Sequence, residues 1–338
     1  MLSSLARQQA ETALRMVEQA QATPAEKAEM LMEIAMGLQQ KPKSPEELAD
    51  AVALYERALS LAPESDALLR ARIQARMGTA LQAMPDTDTE SLHRAQEAFE
   101  AALPILEDSG SAEEQAEAWM NLGLTIQSLA GVHQAKITDA IKAYQRALRV
   151  FDAKRHPAEY AILHNNLATA FLSIPMTDAR AKMREALAVQ SFEAALDVVN
   201  IVDHPAEYAM LQNNLGNALQ YASSAHAVEN NLRALEAYDE ALRVRNPTDT
   251  PLEYANTIAN KANALWNLPD DPEHPEHGNR ANLHRAAALY REACDIFTRF
   301  GEISKVEQIA DALEELRREL DGLPDNGGNG AERRASGD

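Results

Sequence analysis

Alanines and aromatic residues recur along the chain at a spacing typical of helices. The pattern Ala-x3-aromatic-x2-Ala occurs six times, with its aromatic residue at Tyr55, Phe99, Tyr144, Phe192, Tyr238 and Tyr290. Residues four and then three apart lie on one stripe of an α-helix, where small alanines let a neighbouring helix approach and the ring fills the space between. We therefore predict six repeated units, in each of which this stripe belongs to the second helix.

A small residue precedes each stripe and marks the first helix of the unit. These residues are Gly37, Gly78, Gly123, Ala168, Gly216 and Ala262. Glycine inside a helix costs about 1 kcal/mol relative to alanine, so its recurrence indicates a close helix crossing. The interval from the last alanine of one stripe to the next small residue is 20 or 21 residues, whereas that from the small residue to its own stripe varies between 14 and 24. The constant interval predicts rigid packing between units, and the variable one predicts loops along one edge.

These repeats resemble the tetratricopeptide family over roughly residues 25 to 300. The first-helix signature Trp-x2-Leu-Gly is matched by Trp119, Leu122 and Gly123, and the second-helix alanine and aromatic pattern is matched six times. Successive units are 44 to 52 residues apart, whereas the family's unit is about 34 residues. The resemblance implies an all-α fold, a right-handed superhelical solenoid of about six helix pairs with terminal capping helices.

On this interpretation the chain divides into four segments. Residues 1–22 are expected to form an N-terminal capping helix, 23–301 the six helix pairs, 302–322 a C-terminal capping helix and 323–338 a disordered tail. The second cap is predicted from apolar residues spaced three and four apart, which give one apolar face: Ile303, Val306, Ile309, Leu313, Leu316 and Leu320. The tail after Pro324 has no apolar residue larger than alanine and cannot offset the entropy of folding.

The charge balance excludes some classes of partner. Acidic residues outnumber basic residues by 52 to 32, which gives a formal charge of −20. Such a chain is repelled by nucleic acid and by anionic lipid, and no apolar stretch approaches the roughly 20 residues needed to cross a bilayer. We expect neither a nucleic-acid nor a membrane partner. The single cysteine, Cys294, and the absence of a signal-peptide pattern favour a cytoplasmic location.

No residue pattern indicates catalysis or a cofactor. A phosphate loop, a dinucleotide fingerprint and a recognisable nucleophile motif are all missing. His274-Pro-Glu-His277, with Asp270, Asp271 and Glu273 nearby, offers ligand types that a divalent metal accepts. Because prolines break the helical spacing there, a mobile polar loop is the simpler interpretation. We expect no enzyme activity, no cofactor and no metal.

Asparagines crowd the first helices of the later units, although asparagine is a mediocre helix former. In the family, groove-facing asparagines hold the backbone of a bound peptide. The matching positions here are Asn165, Asn213, Asn217, Asn256 and Asn263. Trp266 falls on the same face, four residues after Ala262. Four other asparagines, one face over, are expected to tie helices or loops together: Asn121, Asn166, Asn214 and Asn260.

The leading hypothesis is a protein–protein interaction scaffold or adaptor whose concave groove, lined by first helices, binds a segment of another protein. Two alternatives stay open: an assembly or maturation chaperone for an enzyme complex, and an enzyme with an unrecognised site. The variable loops, chiefly Asp270 to Asn282, are the alternative contact surface to the groove.

Overall fold

The protein is all-helical throughout the part that the computed structural model describes, which comprises residues 11, 12, 14–40, 45–85, 89–174, 180–222 and 226–323. No strand occurs in these ranges, which confirms the all-α prediction. The α-helices are α1 (Pro24–Gln40), α2 (Pro45–Leu61), α3 (Ala67–Gln82), α4 (Glu90–Ser109), α5 (Ala112–Gly131), α6 (Ile137–Ala147), α7 (Pro157–Leu172), α8 (Ala181–Leu196), α9 (Pro205–Gln220), α10 (Ala227–Leu242), α11 (Pro251–Trp266), α12 (Arg280–Arg299) and α13 (Ile303–Gly322).

Consecutive helices pack against each other within two compact units, Met1–Pro175 and Met176–Asp338. In unit 1, α1 packs on α2, α3 on α4 and α5 on α6, and each second helix also contacts the next first helix. In unit 2, α9 packs on α10 and α11 on α12, with α13 against α12. First helices also touch, since α3 contacts α1 and α5, and α11 contacts α9. This is the packing of a helical repeat, as predicted.

An aromatic ring seated on a glycine determines how closely the two helices of a pair approach. A Cβ atom on Gly123 would lie 2.6 Å from the Tyr144 ring, and one on Gly216 would lie 2.5 Å from the Tyr238 ring. Atoms cannot approach so closely, so only glycine admits the ring at these crossings. All six predicted rings are at most 6% exposed, which confirms that the second-helix aromatics form the core.

The first pair uses a different small residue from the one predicted. Beyond its own helix, no atom lies within 4 Å of the Cβ position of Gly37, whereas Ala35 is fully buried. The Tyr55 hydroxyl donates to Gln39, four residues after Ala35, just as the Tyr144 hydroxyl donates to Gln127, four residues after Gly123. The assignment of Gly37 was therefore wrong, because two small residues stand two positions apart and only the contact with the ring distinguishes them.

One recurring turn explains the constant interval between the later helix pairs. The side-chain oxygens of Asp152, Asn200 and Asn246 each accept hydrogen bonds from the backbone N–H groups two and three residues further on, at 2.8 to 3.0 Å. Five residues after each of them, a helix begins at a proline. Bonds from the Arg155 backbone, the Arg155 side chain and the Lys154 backbone lower the pKa of Asp152 to about 2.

The C-terminal helix α13 packs largely as its spacing predicts. Ile309 and Leu316 are buried, and Val306, Leu313 and Leu320 are partly buried against the same cluster of α11 and α12 side chains. Ile303 is instead 71% exposed, so its place on the apolar face was wrong. Lys305 covers the neighbouring part of α12, with its Nζ 4.9 Å from the centre of the Phe297 ring.

Parts of the predicted N-terminal cap and of the predicted tail lie outside the described residues. These are 1–10 and 13 of the N-terminal cap, and 324–338 of the tail. Residues 14–19 are helical, and Val17 is buried in the same cluster as Ala28 and Leu31 of α1. The capping role of this segment stays a prediction, as does the handedness of a superhelix.

Replacing Gly216 by alanine should lower the free energy of unfolding by about 1–3 kcal/mol, because the new methyl group meets the buried Tyr238 ring. The matched control is Gly37→Ala, which should raise it by up to about 1 kcal/mol, since Gly37 is exposed and alanine is the better helix former. Urea denaturation followed by circular dichroism measures both. Equal stabilities of the two variants would contradict the ring-on-glycine interpretation.

Deleting residues 303–320 should expose the apolar cluster of α11 and α12, including Ile296, and cause aggregation. The control is a truncation after Leu323, which keeps α13 whole. Light scattering and size-exclusion chromatography distinguish the two proteins. A monomeric, fully soluble 303–320 deletion would refute the capping role of α13.

Candidate functional site

The residues predicted to line a groove lie on three first helices. Asn165 is on α7 in unit 1, whereas the other five lie on α9 and α11 of unit 2: Asn213, Asn217, Asn256, Asn263 and Trp266. Since α9 and α11 contact each other, the structure brings these five to one pair of neighbouring helices. Asn165 is half-buried and donates to the neighbouring Asn166 at 3.2 Å.

A polar network centred on a buried tyrosine holds part of this surface. The Tyr238 hydroxyl of α10 donates to Asn217 Oδ1 of α9 at 2.7 Å. The orientation of the Gln220 amide is assigned from its hydrogen-bond partners. Its nitrogen donates to Tyr238 Oη at 2.8 Å, and its oxygen accepts from Asn263 Nδ2 at 2.7 Å. Burial raises the pKa of Tyr238 far above its usual value, so the hydroxyl stays protonated and able to donate. The network therefore joins α9, α10 and α11.

Two further hydrogen bonds link α9, or the residue that follows it, to α11. Asn260 Nδ2 donates to Asn213 Oδ1 at 3.2 Å, and Asn263 Nδ2 donates to Tyr221 Oη at 2.7 Å. Asn213 is only 8% exposed, and its oxygen is engaged by the helix contact. A linking role was predicted for Asn260, and the structure shows that Asn213 shares it.

Three amides on this surface keep unused hydrogen-bonding capacity. Within the described ranges, Asn217 Nδ2 and Asn263 Oδ1 make no hydrogen bond, and the Asn256 side chain makes none at all. All three residues are half-buried. We call Asn217, Asn256 and Asn263 the amide face. Two large side chains on α9 and at its end are exposed, Met210 at 38% and Tyr221 at 63%.

Trp266 is tied to the C-terminal helix. Its indole N–H donates to Glu319 of α13 at 2.6 Å, and its ring meets Tyr290 edge to face at 6.5 Å. Beside it lies a cleft of about 440 Å³, whose wall includes Pro275 and Gly278 of the loop before α12. A ligand could therefore contact the Trp266 ring through this cleft, but its N–H is already engaged.

The corresponding surface of unit 1 carries paired charges in place of amides with an unused donor or acceptor. Arg72 of α3 contacts Glu114 of α5 at 2.6 Å, and Arg76 contacts Glu117 at 2.9 Å. The hydrogen bond from Arg72 lowers the pKa of Glu114. Asn121 Nδ2 donates across the same helix contact to a threonine hydroxyl of α3 at 3.4 Å, which confirms its predicted linking role. Charges here are neutralised in pairs.

Trp119 of the Trp-x2-Leu-Gly signature is half-buried and packs against the edge of the core cluster. Its N–H donates to Glu107 Oε1 of α4 at 3.0 Å, and the Arg146 guanidinium of α6 lies 4.2 Å above its ring. The ring lines a cleft of about 710 Å³ between α4, α5 and α6, together with Leu103 and Ile126. The guanidinium lies over the electron-rich face of the indole, and the carboxylate accepts a hydrogen bond from the indole N–H. Both interactions stabilise the ring at the surface.

Sequence reasoning missed a recurring glutamine four residues after the small residue. Gln39 and Gln127 bind the tyrosine hydroxyl of their own pair. Gln82 reaches the next first helix, where it donates to the Asn121 carbonyl at 2.9 Å, and Gln220 does the same to the Asn260 carbonyl at 3.3 Å. The fixed offset from the small residue was the signal that could have revealed them.

Replacing Tyr238 by phenylalanine should lower the free energy of unfolding by about 1–3 kcal/mol, because the Gln220 amide and Asn217 Oδ1 lose a buried partner. The double variant Tyr238→Phe, Gln220→Leu should lose less free energy of unfolding than the two single variants summed, since it removes both partners of the bond. The fourth helix pair naturally has Phe192 and Leu172 at these positions. The control Tyr160→Phe removes a hydroxyl that makes no hydrogen bond within the described residues, so it should stay within about 0.5 kcal/mol of wild type. Additive losses in the thermal or urea unfolding cycle would contradict the network.

No protein-family model matches the chain, and no curated protein sequence matches it. Among solved structures, the chain is similar to the Rap protein in the crystal structure of Rap protein complexed with competence and sporulation factor. The sequence identity is 12% and the TM-score 0.41, over 95% of this chain and 87% of that chain. Separately, none of the helices in the described ranges has the length and apolar character needed to cross a bilayer.

Proposed function

We propose that this protein is an interaction scaffold or adaptor, and that the first helices α9 and α11 bind an extended segment of a partner protein. The observation that carries the proposal is the amide face. Asn217, Asn256 and Asn263 are half-buried on neighbouring helices, yet each keeps a donor or an acceptor unused among the described residues. A half-buried amide that lacks a partner is completed by a ligand or by water.

The chemistry of these groups matches a peptide backbone. Asn217 offers a donor, Asn263 an acceptor, and Asn256 both. An extended segment presents its own N–H and C=O groups alternately along each edge, so it can pair with both kinds of group. Recognition of this type depends little on the charge of the ligand. Amide pairing therefore supports a peptide over a phosphate or a carboxylate ligand.

Two members of the amide face are already held in place before any ligand arrives. The Tyr238 hydroxyl fixes Asn217 through its oxygen, and the Tyr221 hydroxyl fixes Asn263 through its nitrogen. Groups that are ordered in the free protein lose less conformational entropy on binding. The internal network thus favours affinity without taking part in the contact.

Side-chain contacts would add specificity next to the backbone contacts. Met210 and Tyr221 are exposed apolar surfaces on the same pair of helices, and Met adapts to irregular shapes. We infer that the partner segment carries apolar side chains at these points. The formal charge of −20 disfavours a strongly acidic partner. Trp266 and Asn165 remain predicted contacts, at the α13 end of α11 and in unit 1.

Binding of this kind needs no cofactor and no catalytic group. We infer that the protein meets its partner in the cytoplasm. An assembly or maturation chaperone would use the same surface but release its partner once the complex is complete. Affinity capture from the native cytosol separates the classes. A stoichiometric, retained partner supports the adaptor, whereas turnover of a metabolite panel by the pure protein would support the alternative of an enzyme.

The double variant Asn256→Ala, Asn263→Ala should weaken binding of the captured partner about 5- to 150-fold, since each lost hydrogen bond contributes about 0.5–1.5 kcal/mol. Helix content should not fall, because alanine is the better helix former. This pair of changes spares the bond between Asn217 and Tyr238. Isothermal titration calorimetry with the purified partner gives the affinities, which should depend only weakly on salt.

The matched control is Asn121→Ala, on a first helix of unit 1, where the amide links α5 to α3. This variant should lose stability while its affinity for the partner stays unchanged. Wild-type affinity in the Asn256/Asn263 double variant would rule out the amide face. The loop from Asp270 to Asn282 would then become the preferred contact surface.

A further inference from the structure

The loop between α11 and α12 gathers three metal-binding side chains. Asp271, His274 and His277 each offer one donor atom, and these atoms all lie within 4.8 Å of one another. The two imidazole rings are stacked, with centres 5.2 Å apart and an angle of 11° between their planes. His274 Nδ1 is 3.0 Å from Asp271 Oδ2. The sequence favoured a plain polar loop here, but the fold of the loop brings these groups together.

A short 3-10 helix is the reason that the two histidines meet. It spans Pro275–His277, and His274 is the residue that immediately precedes it. A 3-10 helix has three residues per turn, so side chains three apart are eclipsed on one side. The prolines that break α-helical spacing therefore favour the geometry that a pair of histidine ligands needs.

The neck of the loop is closed by hydrogen bonds. The Asp270 carboxylate accepts from the backbone N–H groups of Ala281 and Asn282, at 2.8 and 2.7 Å, at the start of α12. The Asp270 N–H donates to the Gly278 carbonyl at 2.8 Å, and Asn282 Nδ2 donates to the Pro269 carbonyl at 2.9 Å. Both ends of the segment 271–277 are thus anchored to the helices, which limits the entropy lost when a ligand binds.

The local charge also favours a cation. Residues 267–279 include four acidic side chains and neither lysine nor arginine. Asp270 is occupied by the start of α12, but Glu276 lies 3.8 Å from His277 Nε2. A single carboxylate bonded to one histidine would be an ordinary surface pair. The second, stacked histidine is the feature that such a pair does not require.

We propose that Asp271, His274 and His277 bind one divalent cation of the zinc class. Two imidazoles and one carboxylate suit Zn²⁺, Ni²⁺ or Co²⁺, whereas Mg²⁺ and Ca²⁺ prefer all-oxygen sites. Donors around tetrahedral Zn²⁺ stand roughly 3.3 Å apart. Rotation of the side chains can bring the donor atoms to this separation, because all three side chains are about half exposed. The exposed fractions are 47% for Asp271, 54% for His274 and 64% for His277. Water would complete the coordination, and the metal would stiffen the wall of the cleft beside Trp266.

The test is isothermal titration calorimetry of ZnCl2 into the full, tag-free chain after removal of bound metal with a chelator. Wild type should bind one Zn²⁺ per chain, and neither Mg²⁺ nor Ca²⁺ should compete. His277→Gln and His274→Gln should each lower the affinity at least about 10-fold. Circular dichroism should show unchanged helix content, because the three side chains lie in an exposed loop.

The control is His226→Gln, since His226 lies 3.7 Å from Glu229 but belongs to no such cluster within the described ranges. This variant should bind Zn²⁺ like wild type. Absence of saturable Zn²⁺ binding by wild type would overturn the proposal. Undiminished binding by a His274→Gln, His277→Gln double variant would overturn it as well, by placing the metal elsewhere.

Discussion

The two helices of a repeat can approach only as far as the aromatic ring between them allows. At Gly123 and Gly216 the ring lies where any Cβ atom would collide with it, so the pair has one close-packed arrangement. The ring then carries its hydroxyl to a fixed place, where a glutamine of the first helix accepts or donates. A single steric contact thereby determines both the spacing of the helices and the position of a buried polar group.

That arrangement determines which residues of one first helix face the next, and the two units use the resulting contact differently. Unit 1 places Arg72 against Glu114, an exposed pair that contributes no more than about 1 kcal/mol to stability. Unit 2 places amides against amides, as in the pair Asn213 and Asn260. Amides have both donors and acceptors, so a helix contact can be satisfied while Asn256 remains available. The same scaffold thus yields a neutralised surface in one unit and a hydrogen-bonding surface in the other.

Connections between helices show a similar division of roles. The turns at Asp152, Asn200 and Asn246 repeat one pattern of hydrogen bonds, because they set the distance from one pair to the next. The loop between α11 and α12 is under no such constraint once Asp270 and Asn282 have closed its neck. Side chains in the remainder of that loop are therefore not needed for helix packing and can bind a ligand. Two histidines and an aspartate lie there.

The helices, the buried rings and the helix faces that carry the asparagines were determined by the sequence, because periodicity specifies which residues share a face of a helix. Periodicity does not specify what the neighbouring helix presents to that face. Contacts with other helices determined three features that periodicity did not give. They are the use of Ala35 instead of Gly37 at the first crossing, the hydrogen bond to the Asn213 oxygen and the partial exposure of Trp119. Asn213 meets a residue 47 positions away in the chain. A hydrogen bond over such a separation depends on the packing of whole helices. Only the tertiary structure could therefore show which amide atoms link helices and which keep an unused donor or acceptor.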